Sequence, residues 1–420
     1  MRIHRCNTIL LIVPLAAVLA CGMAAASTPS SSPQANDDKT STAVTYKQGS
    51  LRSRIALDAY LIANKGHATP FDALPSMARR RFLDSLVFGR NGLGGFGTAE
   101  LETELTRDEV IRILTLFDLS EYASGVKSRH PDVPPAWRKK QADAGKVETG
   151  FDELYRLNRP DASNRLELRQ RFNVLFADLF RQPDIIRNIP EHDLLYLMRS
   201  IELTASDSPT PETIKDLRAV VAAMNESGIA QAQDFRSVYD ALLRLHRFDE
   251  AKRYAVEHPN ADLAELPRMV DPFHDSAPPI SVWRTSNDNT SLVRTALDIG
   301  PTQILVTAGC HFSEDAAEDI SNDPMLGPAF AAHAHWLLLP PGQEDQDAVR
   351  EWNQRFPAAQ AMQIYDRKEW TLLPPGWAMP TFLVVRNGKV LERITGWPRK
   401  PAANRQLLID ALKRADLLKP

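Results

Sequence analysis

The chain has 420 residues and a formal net charge of −3, from 50 basic and 53 acidic residues. This length allows two or three domains. The dispersed and nearly balanced charges exclude the basic footprint that nucleic-acid binding requires, so we expect proteins as partners and no nucleic acid.

The N-terminus has the composition of an export signal. Residues 1–5 carry two arginines, and an apolar stretch follows at residues 8–20. That stretch has the length of a signal sequence and is too short for a comfortable membrane span. We therefore expect residues 1–26 to be a signal peptide and the mature protein to leave the cytoplasm.

The end of this signal, Val18-Leu19-Ala20-Cys21, resembles a lipobox. The resemblance implies cleavage before Cys21, acylation of its sulfur and a lipoprotein anchored to a membrane of the periplasm. Ordinary cleavage after Ala26 is the alternative, and it would give a soluble periplasmic or secreted protein. Residues 27–49 are rich in Ser, Pro and Asp, which favours a disordered tether between the membrane and the first domain.

The cysteines limit the disulfide chemistry of the mature protein. Cys6 lies in the signal, and Cys21 is either lipidated or removed, so Cys310 is left as the one free thiol. No intramolecular disulfide can form. Any disulfide that Cys310 makes must therefore join it to another molecule.

Residues 50–270 are predicted to form an irregular all-α domain. Apolar residues recur at helical spacing between residues 168 and 179. Thr106 and Glu109 match a capping box, which predicts that a helix begins there. The run Gly92-Leu93-Gly94-Gly95-Phe96-Gly97 matches a dinucleotide fingerprint in form only, because a helix rather than a strand is predicted before it, at residues 77–88.

Residues 235–257 resemble one tetratricopeptide-like (TPR-like) helical hairpin. Ala241 and Ala251 are the small residues where its two helices would approach closely. No second copy follows at a fixed period, so we expect an irregular helical array rather than a regular solenoid. The surface of this array is a candidate site for partner proteins.

The last third of the chain alternates strand and helix signals, which predicts an α/β domain over residues 271–420. The fold class expected for the whole chain is therefore α+β and multidomain. The predicted strands are residues 280–283, 291–298, 304–307, 336–339, 361–365, 382–385 and 390–394, and the predicted helices are residues 311–320, 344–355 and 401–417.

The most informative residue is Cys310, which follows the apolar run at residues 304–306 and opens a predicted helix as Cys310-His311-Phe312-Ser313. Unpaired backbone N–H groups and the helix dipole at such a position favour the thiolate. About seventy residues later, a strand is entered through Trp377-Ala378-Met379-Pro380 and returns after an Asn-Gly turn.

This order resembles the C-terminal half of a thioredoxin fold, in particular its TlpA and redoxin branch, over about residues 279–420. The resemblance implies that Pro380 is cis and lies opposite Cys310. It also implies that Met379 and Trp377 line a substrate-binding surface. The chain departs from the family at Ser313, which stands where the second cysteine would be.

The resemblance implies a nucleophilic Cys310, helped by a protonated His311 and by a hydrogen bond from the Ser313 hydroxyl. Such a thiolate attacks a disulfide but has no resolving thiol, so we expect monothiol exchange or isomerisation on partner proteins through a mixed disulfide. The alternative is a redox-inactive binding or scaffold module of the cell envelope, in which Cys310 is a small, largely buried side chain.

Two further alternatives stay open. Thr307, three residues before Cys310, resembles the threonine of a one-cysteine peroxidase, although the proline expected before it is absent. His333 and His335, together with Cys310 and His311, could offer ligands to copper, as in copper-delivering thioredoxin-like proteins. Our principal interpretation includes neither a metal nor another cofactor.

Overall fold

The computed structural model describes residues 50–89, 92–139, 145–158, 165–181, 183–205, 209–273, 280–286, 290–374, 376–398 and 402–419. The predicted signal peptide, Cys6, Cys21 and the tether up to residue 49 lie outside the described residues. Within the described chain, no helix is long and apolar enough to cross a membrane. The chain divides into two compact units, and the division falls between Ala144 and Gly145.

The first unit contains short helices and one β-hairpin. Its helices are α1 (Arg54–Ala63), α2 (Ser76–Asp84), α3 (Ala99–Glu104) and α4 (Arg107–Thr115), and its strands are β1 (Val87–Gly89) and β2 (Gly92–Gly95). The predicted capping box is confirmed, because the Thr106 amide donates to Glu109 Oε2 over 2.9 Å at the start of α4.

A strand precedes the glycine-rich run, whereas the sequence analysis predicts a helix there. Helix α2 ends at Asp84, and the chain then forms β1, which pairs with the antiparallel strand β2 that contains the first three of these glycines. The helix predicted over residues 77–88 therefore extends beyond Asp84, where α2 ends. Val87 and Phe88 are residue types that favour strands, and here a partner strand is available to them.

Aromatic rings and one buried ion pair form the core of the first unit. The ring of Phe71 lies 6.3 Å from that of Phe82 and 6.2 Å from that of Phe117. The Arg81 guanidinium is buried and makes two hydrogen bonds to the Glu100 carboxylate, of 2.9 and 3.1 Å. A buried bidentate pair of this kind fixes the geometry between α2 and α3.

The second unit begins with helices and continues into the sheet. Its first helices are α5 (Lys146–Leu157), α6 (Arg165–Phe176), α7 (Pro183–Arg187), α8 (Glu191–Ala205), α9 (Pro211–Glu226), α10 (Ala232–Arg244) and α11 (Phe248–Glu257). The predicted apolar stripe lies on α6, where Leu168, Phe172 and Phe176 are buried. Ala241 and Ala251 are both fully buried on α10 and α11, as the predicted close approach of these helices requires.

Among the described residues, eight strands of the second unit form one sheet in the order β10-β9-β6-β7-β8-β4-β5-β3. Strands β6, β7 and β8 are parallel, and β9 is antiparallel to both β6 and β10. The strands are β3 (Arg268–Val270), β4 (Ser281–Thr285), β5 (Ser291–Ala296), β6 (Gln303–Thr307), β7 (Ala334–Leu338), β8 (Ala361–Ile364), β9 (Thr381–Arg386) and β10 (Lys389–Thr395).

Four helices accompany this sheet: α12 (His311–Asn322), α13 (Leu326–His333), α14 (Gln346–Arg355) and α15 (Ala402–Arg414). They share a core with alternate residues of the strands, including Ile304, Val306, Trp336 and Phe382. The other set of alternate residues packs against the connection from β8 to β9, which contributes Trp370, Leu373 and Trp377. The strands and helices predicted from residue 280 onward are confirmed, whereas β3 and α13 are additional.

Helices α10 and α11 pack against the sheet within this second unit. The His246 ring lies 4.0 Å from that of Tyr365, and Phe248 meets Trp283 edge-on at 5.4 Å. A Cβ atom on Gly342 would lie 2.3 Å from the Asp240 carbonyl oxygen, so only glycine allows this loop to approach α10 so closely. The sheet and its neighbouring helices therefore share one packed interior.

Candidate functional site

The position of Cys310 follows from the burial of β6. All five residues of this strand are buried, and the chain leaves it through Ala308 and Gly309, whose φ of 131° suits glycine. Cys310 is then the N-cap of α12, and its carbonyl oxygen accepts hydrogen bonds from the amides of Ser313, at 2.8 Å, and Glu314, at 3.1 Å. The predicted placement of Cys310 at the start of a helix is confirmed.

The Cys310 thiol is partly exposed and has two polar neighbours. Its sulfur lies 3.4 Å from the Ser313 hydroxyl oxygen and 3.8 Å from the Met379 carbonyl oxygen, to which the S–H donates. Ser313 is fully buried. Among the described residues there is no other cysteine, so a resolving thiol is not part of this site.

The segment opposite the thiol contains the predicted proline. The Met379–Pro380 peptide bond is cis, and Pro380 is buried while Met379 is partly exposed. Two threonine hydroxyls donate to the Ala378 carbonyl oxygen, from Thr307 at 2.6 Å and from Thr381 at 2.8 Å. These bonds join the end of β6 to the start of β9 directly beside Cys310.

Trp377 supports the same loop from the other side. Its indole N–H donates to the Ala308 carbonyl oxygen over 3.3 Å, and the residue is 8% exposed with a φ of 45°. Arg367 holds the preceding connection, with hydrogen bonds to the carbonyl oxygens of Trp370, at 2.7 Å, and Pro374, at 2.8 Å. In this structure Trp377 therefore positions the backbone that leads to the thiol.

Glu344 is a site residue that the sequence analysis missed. A Cβ atom on Gly309 would lie 2.8 Å from Glu344 Oε1 and 3.2 Å from the Met379 sulfur, so this carboxyl group lies against the backbone next to Cys310. Burial, with a contribution from the charge of Asp345, raises the pKa of Glu344 to about 8. The sequence offers only a charged residue at the start of a predicted helix, which carries no sign of this contact.

His311 is exposed at the first position of α12, and its ring packs against that of Phe312 at 3.8 Å between centroids. The other two histidines of the copper alternative lie elsewhere. His333 ends α13 and His335 lies in β7, whose first residue pairs with Ile304 in the parallel strand β6.

The copper ligand set is therefore not assembled. Strands β6 and β7 are parallel, so the start of β7 and the residues that follow the end of β6 lie at opposite ends of the two strands. Burial and the nearby positive charge of Arg284 lower the pKa of His335 to about 4. No cluster of metal-binding side chains occurs among the described residues.

The peroxidase alternative required a threonine hydroxyl available to a peroxide. Thr307 is fully buried, and its hydroxyl donates to Ala378 and accepts from the Thr381 amide over 3.1 Å. The only O–H donor of this side chain is therefore used by the backbone of the proline segment and is not available to a peroxide.

No protein-family model matches this chain, and no curated protein matches it. A solved structure of a thioredoxin-like protein from Bacteroides caccae has 14% sequence identity and a TM-score of 0.21, over 66% of this chain and 97% of that chain. The features that bear on function are therefore those of the chain itself: the strand order of the sheet, the helix that begins after Cys310 and the cis proline opposite that residue.

Proposed function

We propose that this chain is an exported thioredoxin-like protein in which Cys310 carries out monothiol thiol–disulfide exchange with partner proteins. The observation that carries the proposal is the placement of a partly exposed thiol at the start of α12, against Ser313 and the Met379–Pro380 segment. A helix N-terminus stabilises negative charge, which favours the thiolate as the attacking group.

The exchange needs no cofactor. The Cys310 thiolate attacks one sulfur of a client disulfide, a new S–S bond forms, and the other client sulfur leaves as a thiolate. A thiol of the client or of a small molecule then attacks the mixed disulfide and releases Cys310. The number of disulfide bonds is unchanged at each step, so this chemistry rearranges client disulfides without net oxidation.

Ser313 determines how long the mixed disulfide lasts. Its hydroxyl can donate a hydrogen bond to the thiolate, but it cannot attack the S–S bond as a resolving cysteine would. The covalent complex therefore persists until an external thiol arrives. This property suits isomerisation or capture of a client better than rapid turnover as a reductase.

The proposed location is the periplasmic side of a membrane, through a lipid on Cys21. The support is the lipobox-like sequence that ends at this residue, after a short apolar stretch. Labelling with a radioactive fatty acid tests it, and we expect label on the wild type and none on Cys21→Ala. Equal release of both proteins from the membrane fraction by salt would overturn the lipid anchor.

The helical part of the chain is proposed to hold the client, with α10 and α11 as one TPR-like hairpin. The support is that two adjacent helices meet through fully buried alanines at positions 241 and 251. These helices also pack against the sheet, since His246 contacts Tyr365. A client held by the helices would thus be attached to the same compact unit that carries Cys310.

The decisive experiment traps mixed disulfides in cells. Cells that make the wild type or Cys310→Ala are quenched in acid and alkylated, and envelope proteins are separated without reductant. We expect adducts that contain the Cys310 peptide, that disappear on reduction and that are absent from the variant. Identical adducts from Cys310→Ala would eliminate this mechanism.

The competing interpretation, a redox-inactive module, also has an observation in its favour. The Cys310 sulfur lies 3.8 Å from the Met379 carbonyl oxygen, an acceptor that a thiol can use and a thiolate cannot. Alkylation by iodoacetamide at pH 7 separates the two. Faster modification of Cys310 in the folded protein than in the unfolded protein supports exchange, and complete protection supports the binding module.

A further inference from the structure

A small cleft opens beside Cys310 between α12 and α14. Its volume is about 90 Å³, and its lining includes Gly309, Glu314, Glu344, Glu351, Trp352 and Arg355. Sites that enclose a whole drug-sized ligand have volumes of roughly 300–1,000 Å³, well above this value. The cleft is therefore too small for a nucleotide and large enough for the end of an aminoalkyl side chain.

The charges around the cleft are unevenly paired. The Arg355 guanidinium bonds to Glu314 over 2.7 Å and to Glu318 over 2.9 Å, so its positive charge is shared by two carboxylates of α12. The carboxyl groups of Glu344 and Glu351 make no hydrogen bond or ion pair with the other described residues. The cleft thus carries two carboxyl groups that are not paired with Arg355, the cation in its lining.

Glu344 is the more informative of these two groups, because it is half-buried whereas Glu351 is exposed. Its carboxyl oxygen lies against Gly309 and its pKa is raised to about 8, so in the free protein it holds a proton at neutral pH. A cation in the cleft would favour the ionised form of this carboxyl group, which burial disfavours. The apolar surface of Trp352 in the same lining suits the methylene groups that carry such a cation.

We propose that this cleft binds the positively charged side chain, lysine or arginine, that lies next to the target cysteine of a client protein. The assignment rests on the proposed exchange function, since it specifies which disulfides Cys310 attacks. The cation meets Glu344 and Glu351, and its methylene stem lies along Trp352. Clients with an acidic residue at the same position are disfavoured by repulsion.

The test uses three small disulfides that differ in charge: cystamine, bis(2-hydroxyethyl) disulfide and 3,3′-dithiodipropionate. Mass spectrometry of the Cys310 peptide gives the rate of mixed-disulfide formation with each. The ratio of the cystamine rate to the dithiodipropionate rate is compared between folded and urea-unfolded wild type, because the unfolded chain reports intrinsic reactivity. We expect the folded ratio to be about tenfold higher.

Two variants locate the effect. Glu344→Gln should bring the folded ratio close to the unfolded one. Glu392→Gln makes the same substitution on β10, where the carboxylate is paired with Arg414, and should leave the ratio unchanged. Equal ratios in the folded and unfolded wild type, or a wild-type ratio in Glu344→Gln, would overturn the assignment.

A second measurement does not depend on a reactive thiol. The Gly309 amide resonance is followed by NMR while N-acetyl-lysine amide or its uncharged analogue N-acetyl-glutamine amide is added. A shift with the lysine compound alone supports the cleft even if Cys310 proves inert, in which case only the exchange function fails. The absence of a shift in the wild type, or the same shift with both compounds, counts against the cation site.

Discussion

The Thr307 hydroxyl donates a 2.6 Å hydrogen bond to the Ala378 carbonyl oxygen, across 71 residues of sequence. The same hydroxyl accepts from the Thr381 amide, so one side chain holds both ends of the segment that contains Met379 and Pro380. Because Cys310 comes three residues after Thr307, this arrangement fixes the distance between the thiol and the segment opposite it.

Thr307→Val should therefore affect both stability and reactivity. The substitution keeps the volume but leaves the buried Thr381 amide without an acceptor, which costs about 1–3 kcal/mol in the free energy of unfolding. We also expect slower reaction of Cys310 with a small disulfide. Urea unfolding and the rate of mixed-disulfide formation measure the two effects.

The matched control is Thr395→Val, which removes an exposed hydroxyl at the end of β10 that lies 3.3 Å from the Thr381 hydroxyl oxygen. We expect it to change the free energy of unfolding by less than about 0.5 kcal/mol. If Thr307→Val were as mild as this control, the hydroxyl would not be what holds the two strands together.

Ser313→Cys should convert the site from a monothiol to a dithiol. Cys310 Sγ lies 3.4 Å from the Ser313 oxygen, and a sulfur in that place needs only a rotamer adjustment to reach the bond length of about 2.05 Å. We expect the variant to release bound clients by itself and to accumulate an internal disulfide. Mass spectrometry without reductant detects that loss of two hydrogens.

Ser313→Ala is the appropriate control for this change, because it removes the hydroxyl without adding a thiol. Its mixed disulfides should last as long as those of the wild type. Persistent client adducts in Ser313→Cys would contradict the idea that position 313 alone determines how Cys310 is released.

The pKa of Glu344 predicts a pH dependence of stability. An unfolded glutamate loses its proton near pH 4.5, whereas folded Glu344 keeps it up to about pH 8. Between these values the folded state binds more protons, so its stability falls as pH rises, with a limiting slope of about 1.4 kcal/mol per pH unit. Glu344→Gln should therefore be increasingly more stable than the wild type as pH rises from 5 to 8.

Urea midpoints of tryptophan fluorescence at pH 5, 6.5 and 8 give the comparison. Asp240, with a pKa raised by burial to about 7, acts in the same direction but is present in both proteins and cancels. Glu351→Gln, an exposed change in the same cleft, should show no such trend. If the free energies of unfolding of Glu344→Gln and the wild type differed by the same amount at all three pH values, folded Glu344 would not retain its proton over this range.

The sheet and the position of Cys310 could be predicted from the sequence because both depend on local patterns. Residues 304–306 are apolar in a row, and three of the residues from 304 to 307 are β-branched. This pattern indicates a strand buried on both faces, and the cysteine follows where that strand must end. The placement of Pro380 opposite Cys310 could be predicted only through the resemblance to a known fold. The structure adds a contact that the resemblance does not indicate, the hydrogen bond from the Thr307 hydroxyl to the Ala378 carbonyl oxygen.

The missed features depend on contacts between distant residues. Glu344 is unusual only because Gly309, 35 residues earlier, brings backbone against its carboxyl group. Strand β3 has three residues and forms because β5 offers a parallel edge, at Arg268 to Ser291. Short elements and buried carboxyls of this kind have no local signature, since tertiary packing decides them.

Arg294 provides a last test, because its environment also assembles residues that are far apart in sequence. The guanidinium is 2% exposed and bonds to Asp271 over 3.0 Å, to Glu369 over 3.1 Å and to the Ser281 hydroxyl over 2.9 Å. Its carbon lies 3.3 Å from the centre of the Tyr365 ring. Arg294 thus joins β5 to β4 and to the connection that leads on to Trp377.

Arg294→Ala should lower the free energy of unfolding by about 3–5 kcal/mol, since it leaves two carboxylates without their cation in a largely enclosed place. Arg294→Lys should recover only part of this loss, because an ammonium group cannot reproduce the planar fork that serves several acceptors at once. Urea unfolding at neutral pH measures both. The control is Arg268→Ala on β3, an exposed arginine whose loss should cost less than about 0.5 kcal/mol. Equal effects of Arg294→Ala and Arg268→Ala would mean that the buried cation contributes no more to the sheet than a surface charge.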